Sequence, residues 1–369
     1  MSLRILVVDD TIMYRKVVGD ILATMPDVEV VGTANNGKIA LARIATLKPD
    51  LITLDVEMPI MNGLETLQEI QKSFPGVGVI MLSTLTKRGS EITLKALELG
   101  AFDFIAKPDA DAKQENVQIL TNALLPRVKA YAKRLELRLL LNQSVRPVGA
   151  QAPVTARPAP AVAPAMPTAS VAATLPKRAS KSKAVAIGIS TGGPNALAQM
   201  LPQLPKLGVP IFIVQHMPPL FTKSLAESLD QKCQYEVREA EHGDLVRPDV
   251  IYIAPGGKHM RVAAGVGGAK MIQITDDPPE NNCKPAVDYM FRSVAREYKA
   301  QVTGVIMTGM GGDGTLGLKV LKSFGAVTIG QDEESCVVYG MPKTAIEAGV
   351  VDVVASLQTI APEIVRTVC

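Results

Sequence analysis

The 369-residue sequence predicts two α/β domains, each built on a doubly wound parallel sheet and joined by a linker. Three observations support this. Short, near-continuous apolar runs alternate with amphipathic helical patterns, the rhythm of βαβ units whose strands are covered on both faces. The rhythm stops at a Pro/Ala-rich stretch and then resumes. The length also exceeds one ordinary core, at roughly 100 to 200 residues per domain.

In the first domain, residues 1–123, strands are expected at Ile5 to Val8, Leu51 to Leu54, Val77 to Leu82 and Phe102 to Ile105. Helices are expected at Lys38 to Thr46 and Ser90 to Leu99. A further helix, Thr121 to Leu141, leads into residues 124–182, which include a tether rich in Pro, Ala and Ser. Its prolines lack backbone donors and favour extended, solvated chain. Residues 183–369 resume with strands at Ala184 to Ile189, Pro210 to Val214, Val250 to Ala254, Val302 to Met307 and Ala326 to Ile329. Pro194 suits the first turn of a helix, where its missing N–H costs nothing.

Composition narrows the function. No apolar run approaches the roughly 20 residues of a membrane span, and the N-terminus shows no secretory signal pattern, so a cytoplasmic protein is expected. Cys233, Cys283, Cys336 and Cys369 are scattered, which indicates neither a zinc-binding spacing nor a disulfide framework. Six of the basic residues lie between Ser144 and Lys183 with no acid among them. Without that segment the net charge of +3 becomes −3, leaving no nucleic-acid footprint.

Chemistry-bearing residues cluster at strand ends, which share one rim in a parallel sheet. Asp9 and Asp10 follow the strand Ile5 to Val8, Asp55 follows Leu51 to Leu54, Ser83 follows Val77 to Leu82, and Lys107 lies at the end of the Phe102 to Ile105 run. Clustered carboxylates imply a hard cation such as Mg²⁺. Asp55 then suits attack on a phosphoryl group, Ser83 a hydrogen bond to it, and Lys107 its charge balance. In the second domain Ser190 lies in a G-x-S-x-G turn, Gly188-Ile189-Ser190-Thr191-Gly192. Such a turn exposes a nucleophilic hydroxyl, and it also suits a phosphate cradle. A serine nucleophile needs an imidazole and an orienting carboxylate. His216, directly after Ile211 to Gln215, is the favoured imidazole; His259 is a lesser candidate, and His242 lies in a charged loop. Asp313, in Met310-Gly311-Gly312-Asp313-Gly314, suits the carboxylate or the N-cap of the helix after it.

Asp9-Asp10, Leu54-Asp55-Val56-Glu57-Met58-Pro59, Leu82-Ser83-Thr84 and Ala106-Lys107-Pro108, in that order, resemble the two-component receiver domain, a flavodoxin-like fold. The resemblance implies Asp55 as phosphoacceptor, Asp9 and Asp10 as Mg²⁺ ligands with Asp55 and the Glu57 carbonyl, Ser83 as switch hydroxyl and Lys107 as phosphate partner. Phe104 takes the switch-aromatic position and equally suits ordinary core. Ile189-Ser190-Thr191-Gly192-Gly193-Pro194, Gln215-His216-Met217-Pro218 and Met310-Gly311-Gly312-Asp313-Gly314 resemble the catalytic domain of the chemotaxis protein-glutamate methylesterases, a larger Rossmann-like domain. The order Ser, His, Asp differs from the Ser, Asp, His of α/β-hydrolases.

That second resemblance implies a phosphorylation-activated serine hydrolase acting on glutamyl methyl esters of methyl-accepting chemoreceptors, with receptor glutamines as further substrates. It also implies a chemotaxis histidine kinase as phosphodonor, backbone N–H groups of Thr191 and Met310 as oxyanion donors, no cofactor in the catalytic domain, and a receiver that covers the catalytic mouth. Cys283-Lys284-Pro285-Ala286-Val287-Asp288 resembles a segment near the substrate cleft and equally suits plain structure. The reading from a different class is a phosphorylation-controlled binding module that catalyses nothing; methanol release separates the two.

Overall fold

A computed structural model describes residues 2–108, 113–144 and 181–369, with the side chains of 115–136 in the middle segment. The tether and its neighbours, 145–180, lie outside the described residues.

The first domain runs β1 (Leu3–Val8), α1 (Ile12–Leu22), β2 (Val28–Ala34), α2 (Gly37–Leu47), β3 (Leu51–Asp55), α3 (Gly63–Ser73), β4 (Gly78–Thr84), α4 (Lys87–Glu98), β5 (Asp103–Lys107) and α5 (Lys113–Ser144). Its sheet has order β2-β1-β3-β4-β5 and is parallel throughout. Alternation along each strand divides the core. Leu6, Val8, Ile52, Leu54, Val79 and Met81 pack under α2, α3 and α4, whereas Ile5, Val7, Leu51, Ile80 and Leu82 pack under α1 and α5. Each fully buried aliphatic side chain contributes about 1.5–3 kcal/mol, so burial on both faces holds β1, β3, β4 and β5 in register. β2 carries Glu29, Gly32 and Thr33 and stays half-buried, which is why no apolar run marked it. α5 continues past residue 123, and Leu120, Leu124, Val128 and Tyr131 close this core.

The second domain runs β6 (Val185–Ile189), α6 (Gly193–Met200), β7 (Ile211–Gln215), α7 (Phe221–Asp230), β8 (Glu236–Glu239), β9 (Val250–Ile253), β10 (His259–Ala264), β11 (Lys270–Thr275), α8 (Val287–Tyr298), β12 (Thr303–Ile306), α9 (Thr315–Ser323), β13 (Val327–Gln331), α10 (Met341–Glu347), β14 (Val353–Ala355) and α11 (Leu357–Val368). Seven strands form a parallel sheet of order β14-β13-β12-β6-β7-β9-β8. β10 and β11 form a separate antiparallel hairpin. α6, α7 and α11 cover one sheet face; α8, α9, α10 and the hairpin cover the other.

In both sheets the strand order reverses at the first strand, between β1 and β3 and again between β6 and β12. A crevice opens at such a point because the flanking crossovers leave in opposite directions. Asp9 and Asp55 flank the first crevice, and Ser190 and the glycine-rich segment before Asp313 flank the second.

The domains are in contact. α4 lies along α7, with Ser90 Oγ and Ser224 Oγ 2.7 Å apart. Asn195 Nδ2 donates to Leu97 O at 2.6 Å, and Glu98 meets Ser228 and Lys232.

Candidate active site and phosphoacceptor site

Ser190 and His216 are neighbours because β6 and β7 are parallel partners in a register that pairs Ile189 with Gln215; each candidate is the next residue along. Backbone bonds pin both, Ser190 N donating to Thr308 O at 2.9 Å and His216 N to Ile189 O at 3.1 Å. The buried Gln215 amide links them further, with Nε2 donating to Ser190 O at 2.9 Å and to His216 O at 3.3 Å.

Asp313 approaches from beyond β12. Its Oδ2 lies 2.8 Å from His216 Nε2, and the same oxygen accepts Val287 N at 2.7 Å. Oδ1 accepts Asp288 N at 3.0 Å and Asn281 Nδ2 at 3.1 Å. The carboxylate therefore sits on the N-terminus of α8, where exposed N–H groups and the helix dipole favour an anion. The expected N-cap on the following helix is not what forms: Gly314, at φ +97°, occupies that position. Burial works to raise the Asp313 pKa, yet His216 and the α8 amides outweigh it and hold the group below the usual carboxylate range. Burial likewise lowers the imidazole pKa, but Asp313 and Cys283 raise it to about 9.

This bonding gives the ring an orientation. With Nε2 on Asp313, Nδ1 is the nitrogen left to take a proton, and Cys283 Sγ stands 3.8 Å from it. Ser190 Oγ has no hydrogen bond among the described residues. Nor do the N–H groups of Thr191 and Met310 find a protein acceptor there. The Thr191 peptide is held from behind by Thr308 Oγ1, which donates to Thr191 O at 2.9 Å.

The other histidines are placed elsewhere. His259 is buried with both nitrogens engaged, Nδ1 accepting Ala286 N at 3.2 Å and Nε2 on Pro278 O at 3.0 Å; it braces the loop that carries Cys283. His242 is exposed. Gln215, Asn281 and Thr308 are site residues that the sequence did not single out, since uncharged amides and hydroxyls carry no distinguishing pattern.

A cleft beside Ser190, Thr191, Gln215, His216 and Pro218 is walled on its other side by receiver residues, including Phe104, Ala106 and Ile119. The predicted switch aromatic faces this mouth. Phe104 is buried and stacked on Phe221 of α7.

In the receiver, Asp9, Asp10 and Asp55 bring carboxylate oxygens within 4.8 Å of one another. Lys107 Nζ bridges Asp9 Oδ2 at 2.7 Å and Asp55 Oδ2 at 2.8 Å. Asp9 Oδ2 is buried, with Lys107 as its one partner among the described residues. An anionic oxygen so placed fits a hard cation, and the donor set is all oxygen. Burial pushes the Asp55 carboxyl up to about 6 against the opposing pull of Lys107, with Asp9 and Asp10 adding to the rise. For Lys107, burial lowers the pKa, but Asp55 and Asp9 outweigh it and hold the group above its ordinary value. Ser83 Oγ donates to Gly89 O of α4 at 3.2 Å. Glu57 is exposed and its side chain stands outside the carboxylate group.

A phosphoacceptor-type carboxylate centre and a serine hydrolase-type centre on one chain define a receiver-linked hydrolase. Comparison with known proteins makes the class specific. Residues 5–118 match the response regulator receiver domain and residues 185–364 the CheB methylesterase domain. The chain belongs to the CheB methylesterase family. A relative from Desulfotalea psychrophila, named protein-glutamate methylesterase/protein-glutamine glutaminase, is 53% identical over 371 residues, covering 100% of this chain and 99% of its own. One of the same name from Bacillus subtilis is 43% identical over 99% of this chain and 98% of its own. The crystal structure of the Thermotoga maritima CheB methylesterase catalytic domain shares 44% identity and covers 51% of this chain and 99% of its own, with a TM-score of 0.49. Among the described residues no helix is long and apolar enough to cross a membrane.

Proposed function

We propose that this chain hydrolyses methyl esters of glutamate side chains on methyl-accepting chemoreceptors, and deamidates receptor glutamines, under control of phosphorylation at Asp55. The observation that carries the reading is the Asp313–His216 bond of 2.8 Å beside a serine on the adjoining strand end. Ser190 Oγ gives its proton to His216 Nδ1 and attacks the ester carbon, while Asp313 holds Nε2–H and stabilises the imidazolium. The N–H groups of Thr191 and Met310, free of protein acceptors among the described residues, receive the oxyanion. Nδ1 returns the proton to the departing methanol. It then takes one from the water that attacks the acyl-enzyme and passes it to the departing Ser190 Oγ, so glutamate and free Ser190 result.

In the receiver, Asp9, Asp10, Asp55 and the Glu57 carbonyl would hold Mg²⁺, which would supply neutralising charge for phosphoryl oxygens. Asp55 accepts the phosphoryl group from a chemotaxis histidine kinase, with Lys107 balancing its charge. Ser83 Oγ turns to the phosphate and leaves Gly89 O. That exchange alters α4, whose next residue, Ser90, touches the catalytic domain, and favours an uncovered mouth. The reading assigns no cofactor to the catalytic domain, no nucleic acid and no membrane insertion, and it places the protein in the cytoplasm beside the receptor tails.

Methanol release from methylated receptors, with and without a small acyl phosphate donor and Mg²⁺, tests the whole scheme. Release should rise with the donor. A folded Ser190→Ala protein that released methanol at the wild-type rate would exclude the mechanism. Ammonia release from receptor glutamines measures the second activity.

A further inference from the structure

Helices α8 and α9 begin beside each other, and neither supplies its own cap. Their N-cap residues are Ala286 and Gly314, neither of which makes a side-chain capping bond. Each helix is capped instead by an aspartate from the other's segment. Asp313, two residues before α9, accepts Val287 N and Asp288 N of α8 at 2.7 and 3.0 Å. Asp288, in the first turn of α8, does the converse, its Oδ1 accepting Gly317 N of α9 at 2.6 Å. Asn281 ties the two carboxylates together, its Nδ2 donating to Asp288 Oδ2 at 3.0 Å and to Asp313 Oδ1 at 3.1 Å.

Close packing leaves these helix starts little play. A Cβ built on Gly188, two residues before Ser190, would stand 2.3 Å from Val287 Cγ1, and one on Gly317 would stand 2.5 Å from Phe291 Cβ. The loop that delivers Asn281 is constrained as well. Asn281 and Asn282 adopt left-handed φ angles of 52° and 60°, held by paired backbone bonds between Glu280 and Cys283 and by the Arg292–Glu280 ion pair. Such conformations persist only where the surroundings impose them. Asp288 itself is buried. Burial pushes its carboxyl above the ordinary carboxylate range and Asp313 adds to the rise, against the bonds from Gly317 N and Asn281 and the charge of Arg292. An apolar side chain of similar volume would avoid that cost, so the carboxylate is explained by what it holds.

We propose that Asp288 is a positioning residue for the hydrolase: through the Asn281 bridge and the crossed caps it fixes the Asp313 carboxylate with Oδ2 facing His216. Asp313 Oδ1 is pinned by Asp288 N and Asn281 Nδ2, so the carboxylate cannot rotate its other oxygen away from His216 Nε2 without breaking both bonds. Outer bonds of this kind hold a reacting constellation in its productive geometry. The inference rests on the catalytic roles proposed above for Asp313 and His216.

Two substitutions in the full-length chain break the bridge by different means. Asp288→Asn keeps the side-chain shape and an acceptor for Gly317 N, but it sets an NH₂ group against that of Asn281. Asn281→Ala acts from an exposed position and keeps the Asp288 charge. Each should lower kcat for methanol release by about tenfold with KM unchanged, less than the hundredfold of a displacement of about 1 Å. In an Asp313→Asn background each should cost almost nothing, because residues acting through one partner are not additive. Titration of His216 by NMR needs no turnover: its midpoint, about 9 in wild type, should fall in both variants. The titratable neighbours of His216 are Asp313 and Cys283, and those of Asp288 are Asp313 and Arg292. All four keep their charge in Asn281→Ala, so a fall there reports geometry. Unchanged kcat and an unchanged midpoint in Asn281→Ala, or full losses in the Asp313→Asn background, overturn the role. The expected midpoints in a chain that releases no methanol uphold the bridge and overturn the hydrolase reading instead.

Discussion

Phe104 of the receiver and Phe221 of the catalytic domain stack nearly parallel, their ring centroids 4.6 Å apart and their planes 17° apart. Phe104 lies on β5 three residues before Lys107, the partner of Asp55, and Phe221 opens α7. One aromatic contact thus joins β5, which carries Lys107, to α7, the helix that starts three residues after Pro218 of the cleft wall.

Breaking that contact should uncover the site without phosphorylation. A stacked pair contributes about 0.5–1.5 kcal/mol beyond its buried area, which corresponds to roughly two- to tenfold in an equilibrium. Phe221→Ala should therefore raise methanol release in the absence of donor by about two- to tenfold and shrink the stimulation that a donor gives. An unchanged ratio of stimulated to basal rate, in a protein with wild-type circular dichroism, would show that the stack does not hold the domains together.

Asp55 should be a stability liability at neutral pH. Its folded pKa of about 6 exceeds the ordinary 3.8, so the folded receiver binds the proton more tightly than the unfolded chain. Ionisation costs stability as pH rises from about 4 to above 6, and the cost is relieved as pH falls through that window. Asp55→Asn should raise receiver stability at pH 7.5 by about 1–3 kcal/mol. Mg²⁺ should stabilise wild type at pH 7.5, much less at pH 5, and hardly at all in Asp55→Asn. Thermal denaturation at the two pH values, with and without Mg²⁺, measures each.

How far the sequence discloses these relationships depends on their range. Ser190, His216 and Asp313 each end or follow an apolar strand, and parallel topology alone sends strand ends to one rim, so their meeting is legible. The receiver carboxylates are legible for the same reason. Strands with mixed composition are not: β8 reads Glu-Val-Arg-Glu, and the β10–β11 hairpin packs on α8 through Met260, Val262 and Ile272 while its tip is exposed. The anchoring of Asp313 on α8 escapes local reasoning because the helix it caps lies earlier in the chain than the carboxylate. The Phe104–Phe221 stack escapes it too, since a buried aromatic in its own core and one in an interdomain contact have the same sequence surroundings.

Asp313 sets the working pH of the proposed base, His216. His216 is raised from 6.5 to about 9, so its proton-linked stabilisation is full below about 6.5 and disappears as pH rises through 9. Only the neutral ring accepts the Ser190 proton, so kcat/KM should climb toward pH 9 in the wild type. In Asp313→Asn the carboxylate charge is lost and the α8 amides face a poorer acceptor. The ascending limb should move down by one to two pH units, by the usual scale of a lost charge partner, and kcat should fall by about 10³–10⁴, as expected when a histidine loses its orienting carboxylate. Rates measured from pH 6 to 10 distinguish this from a uniform loss, which would leave the limb in place.

Gly309 makes the position of the proposed nucleophile, Ser190, possible. A Cβ built there would stand 2.7 Å from Ser190 Cβ and 2.4 Å from Met341 Sδ, and the Gly309 carbonyl is already bound by Gly340 N and Met341 N. The backbone after β12 thus passes directly beside Ser190 and is held from the far side, so it has little freedom to retreat. Gly309→Ala must push either Ser190 or the Met310 amide, the proposed oxyanion donor one residue on. A displacement of about 1 Å in a reacting group costs about a hundredfold in rate, and kcat for methanol release should fall by that much. Receiver phosphorylation at Asp55, in the other domain, should be unaffected, and it provides the internal control for folding. Retention of more than about half the wild-type kcat, against that hundredfold scale, would mean that the strand end tolerates the methyl group and that Ser190 is positioned by other contacts.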